Sequence, residues 1–173
     1  RVDLAVFGLI PSWSKDRSIG RRTYNARAET VAEKPSYRTA WRQRQFCLVP
    51  LGRFFEPCWE TGKAVPWSIH RQDGEPFTVA AIWDRWTERA TGEIVVSFSM
   101  LTINADGHPI TGRFHRAGDE RRSLVVVPRR AWNDWLTATP DTARAMFAEM
   151  PVAEFTSESA IGLSSSPAQA SFL

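Results

Sequence analysis

Six apolar runs of strand length, bounded for the most part by turn residues, set the terms for any fold of this chain: 2–9, 46–56, 65–71, 77–84, 94–103 and 122–127. Runs this short, rich in β-branched and aromatic residues, bury themselves in a sheet and leave little chain for long helices. Asp73-Gly74 separates Ile69-His70-Arg71 from Phe77-Thr78-Val79, and Thr91-Gly92 fills the next gap; both read as hairpin turns and so predict antiparallel neighbours. Helical patterns are fewer. They cover Lys34–Arg42 after Glu29-Thr30, Pro128–Leu136 with proline suited to a first turn, and Pro140–Met150. The predicted class is α+β, an antiparallel sheet with helices packed around it.

Length and composition bound the rest. With 173 residues, 43% of them hydrophobic, the chain can build one compact core and is short for two. No stretch approaches the roughly 20 apolar residues of a membrane span, and no secretory leader is legible, so a soluble, cytoplasmic protein with no membrane partner is expected. Arg1 leads directly into the apolar run 2–9, which reads as a start in mid-domain with a segment upstream of it. A net charge of +3 permits a polyanionic partner without requiring one. Only Lys15, Lys34 and Lys63 are lysines, so the positive charge is almost all guanidinium, suited to gripping phosphate and stacking on bases. Eight tryptophans add aromatic faces of the kind that hold unstacked bases, though most are expected in the core.

Three places could carry chemistry. Asn25-Ala26-Arg27-Ala28-Glu29-Thr30 follows Gly20-Arg21-Arg22 and reads as a polar, ligand-facing loop; the plainer alternative is a turn fixed by Asn25 and a helix opened by Glu29. Glu56 closes an apolar run behind Phe54-Phe55, where burial would raise its pKa toward proton-transfer range; otherwise it reaches solvent or pairs with an arginine. His115 lies in a loop rich in acids and bases, the setting of a proton shuttle, whereas His70 and His108 read as structural. Cys47, in Phe46-Cys47-Leu48-Val49, reads as a buried thiol, and Cys58 has no histidine at a telling spacing. No metal-ligand spacing is present, and no cofactor motif is legible.

Several segments together resemble the SOS response-associated peptidase (SRAP) family from about Phe7 to Val127. Gly8-Leu9-Ile10-Pro11-Ser12-Trp13 is similar to the family's Trp-Gly-Leu-Ile-Pro-x-Trp block, with Phe7 in the place of its first tryptophan. Asn25–Thr30 matches the Asn-Ala-Arg-x-Glu-Thr block. Arg44-Gln45-Phe46-Cys47-Leu48-Val49-Pro50 with Phe54-Phe55-Glu56 resembles the Arg-Cys-Leu-Ile-Pro segment that ends in aromatic-Tyr-Glu-Trp, and Thr102 and Phe114-His115 follow in family order. The sequence departs from the pattern at Leu51-Gly52-Arg53, at Pro57, and in the longer loop Arg116–Glu120.

The resemblance implies an open, barrel-like antiparallel sheet with peripheral helices, as a domain over 1–157; the stretch Ile161–Ala170 is small and polar enough to stay unstructured, so 158–173 reads as a tail. The resemblance further implies a monomeric, nucleoid-associated bacterial sensor of abasic sites in single-stranded DNA that needs no metal or cofactor. An N-terminal cysteine, exposed by autoproteolysis or an aminopeptidase and lying upstream of Arg1, would close a thiazolidine crosslink on the sugar aldehyde. By the same resemblance Asn25 would position that cysteine and the sugar, Glu56 would serve as acid and base, and His115 would manage protons at the opening sugar. Trp13, Arg27 and Thr102 would contact the DNA. The alternatives are a non-catalytic single-strand binding module, or a cysteine peptidase acting on protein.

Overall fold

A computed structural model describes residues 2–116 and 118–162. Its strands are β1 (Val6–Phe7), β2 (Asn25–Arg27), β3 (Phe46–Leu51), β4 (Arg53–Cys58), β5 (Val65–Arg71), β6 (Phe77–Thr87), β7 (Ile94–Asn104), β8 (Arg122–Leu124) and β9 (Phe155–Ser159). The helices α1 (Arg38–Arg42), α2 (Trp132–Thr137) and α3 (Pro140–Ala145) are short, with 3-10 turns between. The class is α+β, as expected: a curled, half-barrel sheet, a second sheet of three strands, and few helices.

The first sheet runs in the order β1-β7-β6-β3, with β2 and β8 also paired to β7. The Thr91-Gly92 turn makes the expected hairpin of β6 and β7, and β3 pairs antiparallel to β6 from Phe46↔Ile82 to Leu51↔Phe77. Beyond Ala81↔Met100 the two long strands part, and residues 122–127 fill the gap: Val125 N–H donates to Leu101, and the N–H of Ala80 to Val125. That wedge curls the sheet.

Four expectations need correction. The sheet is not wholly antiparallel, because β1 and β2 lie parallel to β7. Of the run 2–9 only Val6–Phe7 is strand, while Val2 and Leu4 are 97% and 99% exposed, so apolar composition alone did not bury them. The run 46–56 is two strands in two sheets, broken at the exposed Gly52, where nothing would meet an added Cβ. Asp73-Gly74 turns no hairpin either: β5 pairs with β4 and β9, whereas β6 belongs to the first sheet, so this turn carries the chain back from one sheet to the other.

The helices are shorter than their patterns. In α3, Thr139 and Thr142 form a reciprocal capping box with Pro140 in the first turn, and the helix stops at Ala145 well before Met150. The strand β9 has no counterpart in the expected elements. Its pairing with β5 extends through Glu158 and Ser159, two residues into the expected tail; from residue 163 that tail lies outside the described residues.

Two cores result. Leu9, Trp41, Phe46, Ile82, Leu101 and Trp135 pack between the curled sheet and the helices. Phe54, Ile69, Phe77, Met100, Phe114 and Phe155 pack between the two sheets. The second core matters most for function, since the site opens where the two sheets meet.

Candidate functional site

A pocket of about 180 Å³ is lined by Asn25, Arg27, Glu56, Thr102, His115, Arg122, Ser123 and Leu124. Its residues come from both sheets: β2, β7 and β8 supply one wall, and β4 with the loop after Phe114 the other. The segment read as a polar loop is in fact a strand at Asn25–Arg27. Ala26 is fully buried beside Leu101, so strand alternation turns both Asn25 and Arg27 to the opposite, open face. A small residue between two polar ones is thus what a pocket wall needs here.

Glu56 and His115 meet on one wall of this pocket, His115 Nε2 standing 3.5 Å from Glu56 Oε2. Burial pushes the Glu56 carboxyl up to about 8, so at neutral pH it holds a proton. Burial also holds the His115 imidazole below its ordinary 6.5, against the backbone hydrogen bond at Phe114 and the charge of Asp119. The pair at pH 7 is therefore a neutral acid beside a neutral base, one able to give a proton and the other to take one. Among the described residues, no hydrogen-bond partner stands at the buried His115 Nδ1.

The backbone of His115 has φ 77°, in the left-handed region that a side chain with a Cβ adopts at a cost. The loop is zipped to β4 and the residues after it. His115 N–H donates to the Pro57 carbonyl at 3.1 Å, Phe114 bridges to Cys58, and Arg113 forks onto Glu60 at 3.0 and 3.1 Å while stacking on Trp67. Arg116 adds a cation–π contact with Trp59. His108, in turn, is a structural anchor: its Nδ1 accepts from Ile110 and Thr111, leaving Nε2 to donate to Met150. Loosening the zip should rehydrate His115. In an NMR titration, Arg113→Ala is expected to bring the His115 pKa up toward 6.5, with Arg113→Lys intermediate; an unmoved titration would mean that the zip does not set the imidazole.

Arg122 is the site residue that sequence reasoning missed. Only 12% of its side chain is exposed, and it forks onto Glu29 at 3.0 and 2.8 Å, reaches the Thr102 carbonyl at 2.6 Å, and bonds Glu120 at 2.7 Å. The Thr102 hydroxyl, expected at DNA, receives Arg122 as well, at 3.2 Å, and is buried. Glu120 also pairs with Arg27. The only hint in the sequence was Glu29 inside the Asn-Ala-Arg block, whose partner lies 93 residues away.

Trp13 is not among the lining residues. It stands 52% exposed, its indole N–H donating to the Pro35 carbonyl at 3.3 Å. The loop that presents it is held from below: Ser12 N–H donates to the buried Asp84, and Trp86 Nε1 donates to Ser14. Neither cysteine lines the pocket. Cys58 is buried, and burial pushes the Cys47 thiol up to about 12, far from a nucleophile at neutral pH.

The family described as SOS response associated peptidase (SRAP) matches residues 1–160. The chain belongs to the SRAP family. Abasic site processing protein YedK of Escherichia coli is 30% identical to it over 136 residues, 78% of this chain and 54% of the relative. Abasic site processing protein YoqW of Bacillus subtilis is 36% identical over 83 residues, 46% of this chain and 36% of the relative. A crystal structure of a Bordetella bronchiseptica protein, 36% identical, superposes with a TM-score of 0.83 over 90% of this chain and 75% of that one. This SRAP domain thus spans about a third to a half of the curated relatives' length. Among the described residues, no helix is long and apolar enough to cross a membrane.

Proposed function

We propose that this SRAP domain captures abasic sites in single-stranded DNA, holding the lesion sugar against Glu56 and His115. The observation that carries the reading is that acid–base pair, 3.5 Å apart, in a pocket whose other wall bears Arg27 and Arg122. An open-chain abasic sugar offers an aldehyde. An amine adds to it, water leaves to give a Schiff base, and a thiol adding across that C=N closes a thiazolidine with one water lost in all. Each step needs a proton moved at a stated place and nothing more.

Glu56, protonated at neutral pH, gives its proton to the departing hydroxyl and takes one back from the ring-closing thiol or amine. His115, neutral, accepts the proton released as the sugar opens. Asn25 orients nucleophile and sugar, offering both donor and acceptor. The nucleophile in this reading is an N-terminal cysteine upstream of Arg1, since Cys47 and Cys58 stand away from the pocket. Arg27 and Arg122 hold backbone phosphate, and exposed Trp13 stacks on a base, so that a strand is gripped without its sequence being read.

The test is intact-mass analysis of the full native protein after incubation with a single-stranded oligonucleotide carrying one abasic site, beside an undamaged strand. A DNA-sized addition specific to the lesion, lost when the N-terminal cysteine is replaced, is expected. Binding without an adduct would leave a non-catalytic single-strand binding module.

A further inference from the structure

Arg27 and Arg122 reach the same point from β2 and β8, the two strands that flank β7, and an acid of the protein itself is there to meet them. The two oxygens of the Glu120 carboxylate are divided between them, Oε2 on Arg27 Nη1 and Oε1 on Arg122 Nη1 at 2.7 Å. A carboxylate shared in this way presents what a phosphodiester presents, two oxygens carrying one negative charge. Glu29 already forks onto Arg122 from the other side. Two guanidiniums therefore face two carboxylates, and the wall that would meet a polyanion is neutral as it stands.

The two acids are held differently. Glu29 makes a bidentate pair with a side chain that is largely buried, while its backbone neighbour Ala28 is tied to Thr102 through an N–H···O bond of 2.8 Å. Glu120 comes from the loop between His115 and β8, where Gly118 has φ 92°. Both acids lie in loops, but Glu29 carries more ties, forking onto Arg122 and also accepting from the Asn104 N–H at 3.2 Å. Glu120 holds each arginine through a single oxygen and is the easier of the two to displace.

We propose that Glu120 is a specificity-determining residue of the site: it occupies the anion position between Arg27 and Arg122, so that a DNA strand enters only by displacing it. The inference rests on the single-stranded DNA reading above. A lone anion gains little by exchanging with a tethered carboxylate, whereas a strand that also gains contacts elsewhere in the pocket overcomes it. The loop thereby holds down binding to undamaged DNA and to small anions alike.

The experiment compares the full protein with Glu120→Gln and with Glu149→Gln, an exposed acid outside the pocket that controls for net charge. Affinity for an undamaged single-stranded oligonucleotide is measured across a salt series, and inorganic phosphate is titrated while the side-chain Nε–H signals of Arg27 and Arg122 are followed by NMR. Glu120→Gln should bind the strand about fivefold tighter at low salt, the scale of an exposed ion pair, with a log–log salt slope steeper by about 0.7, one further phosphate on a single strand. Phosphate should bind it more tightly as well. Equal behaviour of the two variants in both assays would overturn the proposal. If Glu120→Gln gains phosphate affinity while neither it nor the wild type binds DNA, the carboxylate does occupy an anion site and it is the DNA reading that falls. If DNA binds and neither assay separates the variants, the DNA reading stands and the role of Glu120 is lost.

Discussion

Replacing Glu56 by glutamine is expected to slow adduct formation about a hundredfold, leave DNA binding unchanged, and stabilise the fold at alkaline pH. General acid–base groups contribute about 10²- to 10⁴-fold, and glutamine keeps the shape of the protonated acid without its proton. Because the Glu56 pKa is pushed up to about 8, the wild-type side chain is itself neutral at pH 7, so substitution changes neither local charge nor packing and binding has no reason to move.

The stability effect follows from the same burial. The folded value lies above the 4.5 of the free group, so the native state keeps a proton that the unfolded chain gives up. The stability this group contributes is complete below about pH 4.5 and is lost as pH rises through 8. His115 acts in the opposite sense: its lowered value makes its contribution complete above 6.5 and lost as pH falls. With the Glu56 side chain still 14% exposed, the alkaline penalty is on the order of 3 kcal/mol. Urea unfolding at pH 5 and pH 8.5 should therefore show Glu56→Gln gaining on the wild type only at the higher pH. Parallel curves would mean that Glu56 is ionised in the folded protein, and an unchanged adduct rate would remove it from the chemistry.

Gly8→Ala should destabilise the domain by about 4 kcal/mol, lowering the melting temperature by roughly 10 °C. Gly8 has φ +99°, and a Cβ built on it would stand 2.2 Å from the Gly20 carbonyl oxygen. Neither backbone is free to retreat. Gly8 N–H donates to Phe98 at 3.0 Å, Leu9 N–H to Thr23 at 3.2 Å, and Thr23 N–H to Gly20 at 3.3 Å. Gly74→Ala is the comparison that isolates the collision, since Gly74 also has positive φ, at +75°, but nothing lies within 4 Å of its Cβ position. That substitution should cost only about 1–2 kcal/mol of left-handed strain. Equal losses at the two positions would show that Gly8 and Gly20 do not approach as closely as described.

The Gly8 contacts also explain what the Gly-Leu-Ile-Pro-Ser-Trp block is for. Apart from exposed Trp13 it is framework: Ile10 N–H donates to Ser97, Ser12 N–H to Asp84, and Leu9 is fully buried. From the sequence this block looked like part of a buried strand. Its apolar content is real, but its hydrogen bonds go to side chains and to a neighbouring loop as well as to β7, and no local pattern distinguishes these arrangements.

The strands β5, β6 and β7 were legible because alternation and flanking turns are local properties, carried by adjacent residues. Trp86, Ile82 and Asp84 point inward from β6 at every second position, and the Thr91-Gly92 turn closes its hairpin. The class α+β followed from the same local signals; Asn25, Glu56 and His115 stood out by residue type and setting, and block resemblance added Trp13, Arg27 and Thr102. What only the tertiary structure decided is which of those pieces meet. Sheet membership was undecidable at Gly52 and at Asp73-Gly74, because a turn specifies a change of direction and not the partner that the next strand will find. The Glu29–Arg122 pair and the Glu120 bridge are likewise absent from any local pattern: they join side chains from β2, from β8 and from the loops after β2 and before β8, which become neighbours only when β2 and β8 dock on β7. Even the protonation of Glu56 belongs to that level, since it is the burial created by two sheets closing on each other, not the residues beside it in the chain, that keeps its proton in place.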